Sequence, residues 1–246
     1  MRYFLEVSYK GTNYSGFQSQ INANTIQAEI EKALQTILKE EIELTGSSRT
    51  DAGVHACQNY FHFDIETELS SKLIYNLNAI LPADIAIRDL FRVKADAHCR
   101  FDAISREYNY FIYKRKNPFL ADKAFYFPYT LNREEMQKAA EMIKGYSDFT
   151  SFSKRNTQVK SFECNIKESK WITDDECLIY NVTANRFLRG MVRSLTATML
   201  KLGRGKINIE EFKNIIEAKD CTRANFAVPA HGLFLVNVSY PHNYFK

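Results

Sequence analysis

An aspartate and an arginine lie two residues apart in a short segment that contains a glycine near each end. The segment reads Gly46-Ser47-Ser48-Arg49-Thr50-Asp51-Ala52-Gly53-Val54-His55. Such a turn presents its side chains to the surroundings instead of burying them. An aspartate near glycine is a common turn former, but a guanidinium close to it keeps the carboxylate ionised. Asp51 could therefore serve as a nucleophile or general base at neutral pH, with Arg49 beside it.

Three arginines occur at helical spacing later in the chain. The apolar residues between about 186 and 202 predict a long helix, on which Arg186, Arg189 and Arg193 share one face. That face suits a row of phosphates, and an ordinary solvated face is the alternative. Lys201, Arg204 and Lys206 extend the positive charge at the end of this helix and beyond it. Two further basic clusters, Lys114-Arg115-Lys116 and Lys154-Arg155, lie on predicted loops, where they either contact RNA or are only solvated.

The composition indicates a soluble globular protein. The chain has 246 residues, 45% of them hydrophobic, which is enough for one large domain or two small ones. A net charge of +4 is compatible with a nucleic-acid partner without establishing one. Because the N-terminus does not resemble a signal peptide and no apolar run approaches membrane length, a cytoplasmic location is expected.

Cysteines and histidines are scattered along the chain. Neither a close Cys-x-x-Cys pair nor a His-x-x-x-His pair occurs among the five cysteines and five histidines. This pattern argues against disulfides and against a zinc site. We therefore expect metal-free chemistry.

The first half of the chain predicts the element order β-α-β-β-α-β. Strands are predicted from Tyr3 to Tyr9, around Ile42 and Leu44, from Cys57 to Asp64 and from Ile85 to Val93, with helices capped by Asn24 and from about Ser71 to Ile80. Within the third strand, His62 is interpreted as a surface residue. Small and polar residues from Lys94 to Ala103 predict a domain boundary, dividing the chain into 1–103 and 104–246.

The second half repeats this order. Strands are predicted around Tyr108 and Tyr110, from Phe162 to Trp171, from Cys177 to Ala184 and from Leu233 to Tyr240, with a turn at Thr173-Asp174-Asp175. Helices are predicted from Asn132, which pairs with Glu135 as a cap, to Gly145, from about Arg186 to Leu202, and from Ile209 to Ala218. Two tandem β-α-β-β-α-β units with antiparallel sheets indicate an α+β protein of ferredoxin-like subdomains.

The run Arg49 to His55 resembles the catalytic signature of the TruA family of tRNA pseudouridine synthases. The family's usual glycine before the arginine is Ser48 here, and two further departures, Lys10 and Asn225, are peripheral. Similar blocks cover nearly the whole chain: Tyr14 to Gln20, Asn78 to Ala86, His98 to Ala103, Arg106 to Tyr110, Asp148 to Phe152, Phe187 to Arg193 and Pro229 to Leu233.

The resemblance implies a pseudouridine synthase fold with a cleft between the two subdomains, and a role for each matching residue. Asp51 is implied as the nucleophile, Arg49 as the group that holds the flipped nucleotide, and Arg193 as the partner of the aspartate. Tyr108 would lie against the substrate base and Leu233 would line the pocket. The implied reaction converts uridine to pseudouridine at positions 38, 39 and 40 in the tRNA anticodon arm and requires neither a cofactor nor a metal. The implied enzyme is a homodimer.

Several alternatives stay open from the sequence. Asp51 could attack either the sugar C1′ or the uracil ring. Ser48 could impair the site, leaving an RNA-binding relative without activity. An unrelated hydrolase with Asp51 as general base is a third interpretation, although the chain offers it neither a partner acid nor a metal cluster.

Overall fold

The chain packs as two compact units. A computed structural model describes residues 1–155, 159–174 and 176–245. The first unit comprises 1–104 together with 235–246, and the second comprises 105–234. The first boundary therefore lies close to the predicted one, but the C-terminal residues belong to the first unit, which the predicted division into 1–103 and 104–246 did not anticipate.

The first unit contains an antiparallel sheet with two helices. Its elements in chain order are β1 (Arg2–Tyr9), α1 (Ile26–Leu38), β2 (Thr45–Gly46), β3 (His55–Asp64), α2 (Lys72–Ile80) and β4 (Ile85–Val93). Strand β1 pairs antiparallel with both β3 and β4, and β2 pairs with β3. The last strand, β9 (Leu233–Ser239), begins in the second unit and lies beside β3 in the first. The predicted β-α-β-β-α-β order is present, with its second strand reduced to Thr45–Gly46.

Helix α1 begins one residue later than predicted. The Thr25 hydroxyl accepts the Ala28 N–H at 3.3 Å and caps the helix, so Asn24 is not the cap. The buried residues of α1 recur at helical spacing: Ile26, Ile30, Ala33 and Leu34. This stripe packs the helix into the core of the unit.

The predicted second strand is almost absent. Ile42 and Leu44 are buried, but only Thr45–Gly46 pairs with β3. The Leu44 N–H donates to Glu31 at 3.1 Å, and its carbonyl accepts the Gln27 amide at 2.8 Å. Side chains of α1 therefore satisfy the backbone groups that a strand would have used in its ladder.

The second unit also combines strands and helices. Its elements are β5 (Ser105–Tyr113), β6 (Phe125–Tyr126), α3 (Arg133–Met142), β7 (Ile166–Asp174), β8 (Cys177–Ala184), α4 (Met191–Gly203) and α5 (Ile209–Glu217). Strand β8 pairs antiparallel with β5 and β7, and β6 pairs parallel with β5. Asn132 caps α3 through the Glu135 N–H as predicted. Of the predicted β7–β8 turn, Asp175 lies outside the described residues.

Helix α4 begins at Met191, so the prediction that it starts near Arg186 is wrong. Gly190 precedes it with φ 74°, a left-handed conformation that favours glycine. Arg186 and Arg189 therefore lie on the segment before the helix and share no helical face with Arg193. Within α4 every residue except Arg193 and Lys201 is buried. The predicted basic stripe does not exist.

Both units pair antiparallel sheets with helices, which confirms the predicted α+β class. Among the described residues, no helix has the length and apolar character needed to cross a membrane. The predicted cleft between the subdomains stays a prediction.

Candidate active site

The segment around Asp51 forms a turn between β2 and β3. The Val54 N–H bonds the Asp51 carbonyl at 3.1 Å, and Gly53 has φ 78°. Arg49 and Ala52 are exposed and Asp51 is half-buried, whereas Thr50 is buried. The turn therefore presents the arginine and the aspartate outward while the residue between them faces the core.

Buried polar side chains hold this turn from inside the unit. The Thr50 hydroxyl lies 2.8 Å from the Tyr9 hydroxyl, and the Asn59 amide donates to Tyr9 at 3.2 Å and to the Ser48 carbonyl at 2.8 Å. Asn59 is fully buried on β3, and Tyr9 is buried at the end of β1. Sequence reasoning missed both residues, although an asparagine among the aromatic residues of a strand was a signal for a buried polar contact.

The N-terminal block Tyr14 to Gln20 packs directly against the turn. The Phe17 N–H donates to the Thr50 carbonyl at 3.1 Å, and the Phe17 ring stacks on Phe61 with ring centres 4.4 Å apart. Gly16 has φ 112°, and a Cβ there would lie 3.2 Å from the Thr50 oxygen. A close backbone approach therefore explains the glycine in this block.

Ser48 occupies an ordinary backbone conformation. Its φ is not positive, so a serine adopts it without the strain that would require glycine. Its hydroxyl is buried and has no hydrogen-bond partner among the described residues. The departure at this position therefore leaves one unsatisfied hydroxyl on a backbone that does not require glycine.

The second unit carries the other predicted site residues. Arg193, near the start of α4, donates from Nε and Nη2 to the Val228 carbonyl at 3.0 and 2.7 Å. Tyr108 on β5 meets the Phe187 ring edge-on, with centres 5.1 Å apart. The remaining three are the half-buried Arg186, the exposed Arg189 and the buried Leu233. That these side chains act together with Asp51 and Arg49 stays a prediction.

Two contacts hold the segment that leads to Leu233. The buried Tyr110 hydroxyl donates to the Pro229 carbonyl at 2.7 Å, next to the Val228 carbonyl that binds Arg193. Burial raises the pKa of Tyr110, so its hydroxyl keeps the proton that it donates. A Cβ on Gly232 would lie 2.8 Å from the Tyr110 ring. Tyr110 thus positions the closing segment, a role that the sequence did not indicate.

One group of side chains among the described residues could hold a metal ion. His62, His98 and Cys99 bring their donor atoms within 4.8 Å of one another. His62 is buried, so its predicted surface position is wrong, because both faces of β3 are covered. The Cys99 thiol already donates to the Thr45 carbonyl at 3.1 Å, and the Arg100 N–H donates to His98 Nδ1 at 3.1 Å. Protein hydrogen bonds therefore account for the cluster, and metal-free chemistry stays a prediction.

Comparison with known proteins identifies the family to which this chain belongs. The model of the tRNA pseudouridine synthase family matches residues 6–102 and 139–241. The chain belongs to the tRNA pseudouridine synthase family. The predicted family resemblance and pseudouridine synthase fold are thereby confirmed.

Individual relatives match over nearly their full length. The chain is 42% identical to tRNA pseudouridine synthase A of Parabacteroides distasonis, over 99% of this chain and 98% of the relative. It is 43% identical to the protein of the same name from Bacteroides fragilis, over 100% and 98%. The enzyme of that name from Staphylococcus aureus strain N315 is 37% identical, over 99% and 92%.

Proposed function

We propose that this protein isomerises uridine to pseudouridine in tRNA, at positions 38, 39 and 40 of the anticodon arm. The observation that carries the proposal is the Arg49–His55 turn, which presents Asp51 while a buried network holds its backbone. Membership of the family and the names of the relatives support the same reaction and the tRNA substrate.

The Asp51 carboxylate acts as the nucleophile. The C1′–N1 bond of the uridine breaks, the uracil turns within the site, and a C1′–C5 bond forms. C5 loses its proton and N1 gains one, so substrate and product have the same atoms and the same oxidation state. Attack of Asp51 on C1′ and attack on the ring both satisfy this balance.

The other residues hold the nucleotide and the carboxylate. The target base must leave the stack to reach Asp51. Arg49 holds the flipped nucleotide, a role that its exposure on the turn supports. Arg193 pairs with Asp51 in this proposal. Its guanidinium has five N–H donors, and its bonds to the Val228 carbonyl use only Nε and Nη2, so donors remain for a carboxylate. Tyr108 lies against the base and Leu233 lines the pocket.

The tRNA is recognised by its shape and its phosphates. Enzymes that modify several neighbouring positions gain little from reading base identity, so backbone contacts must position the arm. Arg186 and Arg189 provide such contacts from the segment before α4. The enzyme works in the cytoplasm as a homodimer, and sedimentation that finds only monomers would contradict the dimer.

Ser48 offers little support for an inactive RNA-binding relative. The backbone there suits serine as well as glycine, so the turn keeps the conformation that presents Asp51. An assay of the reaction itself distinguishes the two functions.

The decisive experiment replaces Asp51 with its neutral isostere. Asp51→Asn should abolish tritium release from tRNA labelled at C5 of uridine, while tRNA binding in a filter assay changes little. Glu66→Gln, which neutralises an exposed carboxylate of the same unit, is the matched control and should keep full activity. Full activity of Asp51→Asn would refute the role of Asp51 as the nucleophile.

A further inference from the structure

An ordered loop connects β5 to β6 in the second unit. This basic loop, residues 114–124, is closed at its base, where the Phe127 N–H donates to the Tyr113 carbonyl at 2.9 Å and β6 pairs with β5. Asn117 shapes the loop, because its Oδ1 accepts the Phe119 N–H at 2.9 Å and its Nδ2 donates to Glu176 at 2.5 Å. These contacts hold the base of the loop and its backbone between Asn117 and Phe119.

The basic loop exposes an aromatic ring beside a run of cations. Phe119 is 83% exposed, although burial would stabilise a phenylalanine. Lys114, Arg115 and Lys116 precede it and are all exposed. Lys123 adds a fourth cation to the loop, and Asp122 is its only acidic residue.

The surface next to the basic loop has the same character. A groove of about 150 Å³ adjoins the loop, and Lys114, Arg133, Phe127 and Tyr129 are among the residues that line it. The Arg204 guanidinium lies over the Tyr129 ring at 3.8 Å from its centre. Glu176 also lines the groove. Cations and aromatic rings thus lie close together in this part of the second unit.

We propose that the basic loop is an RNA-contact surface of its own, in which Phe119 stacks on an unpaired base while Lys114, Arg115 and Lys116 contact phosphates. An exposed aromatic ring beside cations is the arrangement that binds single-stranded RNA, because every base offers a face for stacking. Protein interfaces are also enriched in aromatic residues and arginine, but they are depleted in lysine, and the basic loop contains three lysines. The identity of the RNA, a tRNA, rests on the proposed function.

The first test removes the ring and measures binding directly. Phe119→Ala should weaken tRNA binding roughly 5- to 140-fold in fluorescence anisotropy, the range that loss of one base stack predicts. KM should rise while kcat stays unchanged, because the loop holds the RNA and not Asp51. Tyr75→Ala is the matched control: Tyr75 is 75% exposed on α2 but lacks a run of basic neighbours, and its removal should leave Kd unchanged.

A tryptophan at the same position reports stacking itself. Phe119→Trp should restore affinity, and the emission of the introduced indole should be quenched when tRNA is added. The natural chain has a single tryptophan, Trp171, so the variant is compared in a background that carries Trp171→Phe. If the emission of the Phe119→Trp variant is unchanged at saturating tRNA, the ring does not stack on a base.

The second test measures the charge contacts through salt dependence. Each of Lys114→Ala, Arg115→Ala and Lys116→Ala should reduce the slope of log K against log salt by about 0.7 to 0.9. The proposal is overturned if Phe119→Ala binds within twofold of the natural protein or if the three slopes are unchanged. If either result is found while pseudouridine is still formed, only the RNA-contact role of the basic loop is refuted. If the natural protein fails to bind tRNA, the proposed function is refuted as well.

Discussion

Asp51 is positioned by side chains that are hidden from solvent. Thr50 turns inward beside it, and the Thr50 hydroxyl bonds that of Tyr9. Asn59 joins Tyr9 to the Ser48 carbonyl, so one amide and one phenol fix the backbone that precedes the aspartate. A carboxylate that must reach one atom of a flipped nucleotide gains rate from such positioning.

Removing the Tyr9 hydroxyl should slow the reaction more than it weakens binding. Tyr9→Phe loses the hydrogen bonds to Thr50 and Asn59, which lets the turn shift. We expect kcat to fall roughly 10- to 100-fold with little change in KM, and the free energy of unfolding to fall by about 1 kcal/mol. Steady-state tritium release and urea unfolding measure the two effects.

Tyr3 provides the control on the same strand. It is as buried as Tyr9, and its hydroxyl accepts the Leu69 N–H at 3.0 Å, away from the turn. Tyr3→Phe should cost about the same stability while leaving kcat unchanged. Equal losses of kcat in the two variants would mean that Tyr9 only stabilises the fold.

Element boundaries follow from the sequence where periodicity and flanking residues agree. Strand β4 occupies the predicted Ile85–Val93, because alternating apolar residues end at clear loop residues. The predicted start of α4 is wrong because Phe187 and Leu188, which precede Gly190, continue the apolar spacing of the helix, so the pattern treats Gly190 as an interior helix position. Periodicity records which residues are buried, and the segment before the helix is buried in part as well.

Replacing Gly190, at the start of α4, with alanine should destabilise the protein. An alanine there would adopt φ near 74° and place its Cβ 3.2 Å from Lys154 side-chain atoms and 3.4 Å from the Phe226 ring. The conformation alone costs about 1 to 2 kcal/mol, and the crowding adds to it. Urea unfolding of Gly190→Ala should therefore show a loss of about 2 kcal/mol or more.

Gly205 separates the cost of the backbone conformation from the cost of crowding. Its φ is 65°, but nothing lies within 4 Å of an added Cβ. Gly205→Ala should lose only the conformational part, about 1 to 2 kcal/mol. If both variants lose the same free energy of unfolding, the contacts with Lys154 and Phe226 have no energetic effect.

At the scale of the whole molecule, the sequence predicts which strands exist better than it predicts their neighbours. Alternation in Leu233–Ser239 identifies β9, but only the fold shows that residues 235–246 return to the first unit. The same limit applies to the site. The Asp51 turn is readable as a motif, whereas the Tyr9–Asn59 contact depends on how β1 and β3 pair, which no local pattern encodes.

The contact between His62 and Cys99 is another product of long-range packing. His62 lies on β3, and its Nδ1 is 3.2 Å from the Cys99 sulfur. Burial, together with the charges of His98 and Arg2, lowers the pKa of His62 to about 4. The carboxylates of Asp64 and Asp102 act in the opposite direction and raise the pKa. The ring is therefore neutral in the folded protein at neutral pH.

This neutral ring should make the stability of the protein depend on pH. The unfolded chain protonates His62 near pH 6.5, so between 6.5 and about 4 it binds a proton that the folded chain does not. The contribution is fully present above 6.5 and is lost as the pH falls through that range. As the pH falls through this range, the urea midpoint should fall less steeply for His62→Gln than for the natural protein. His242→Gln, at an exposed position, is the control and should show the same pH dependence of the midpoint as the natural protein. Parallel curves for His62→Gln and the natural protein would show that His62 protonates equally in both states.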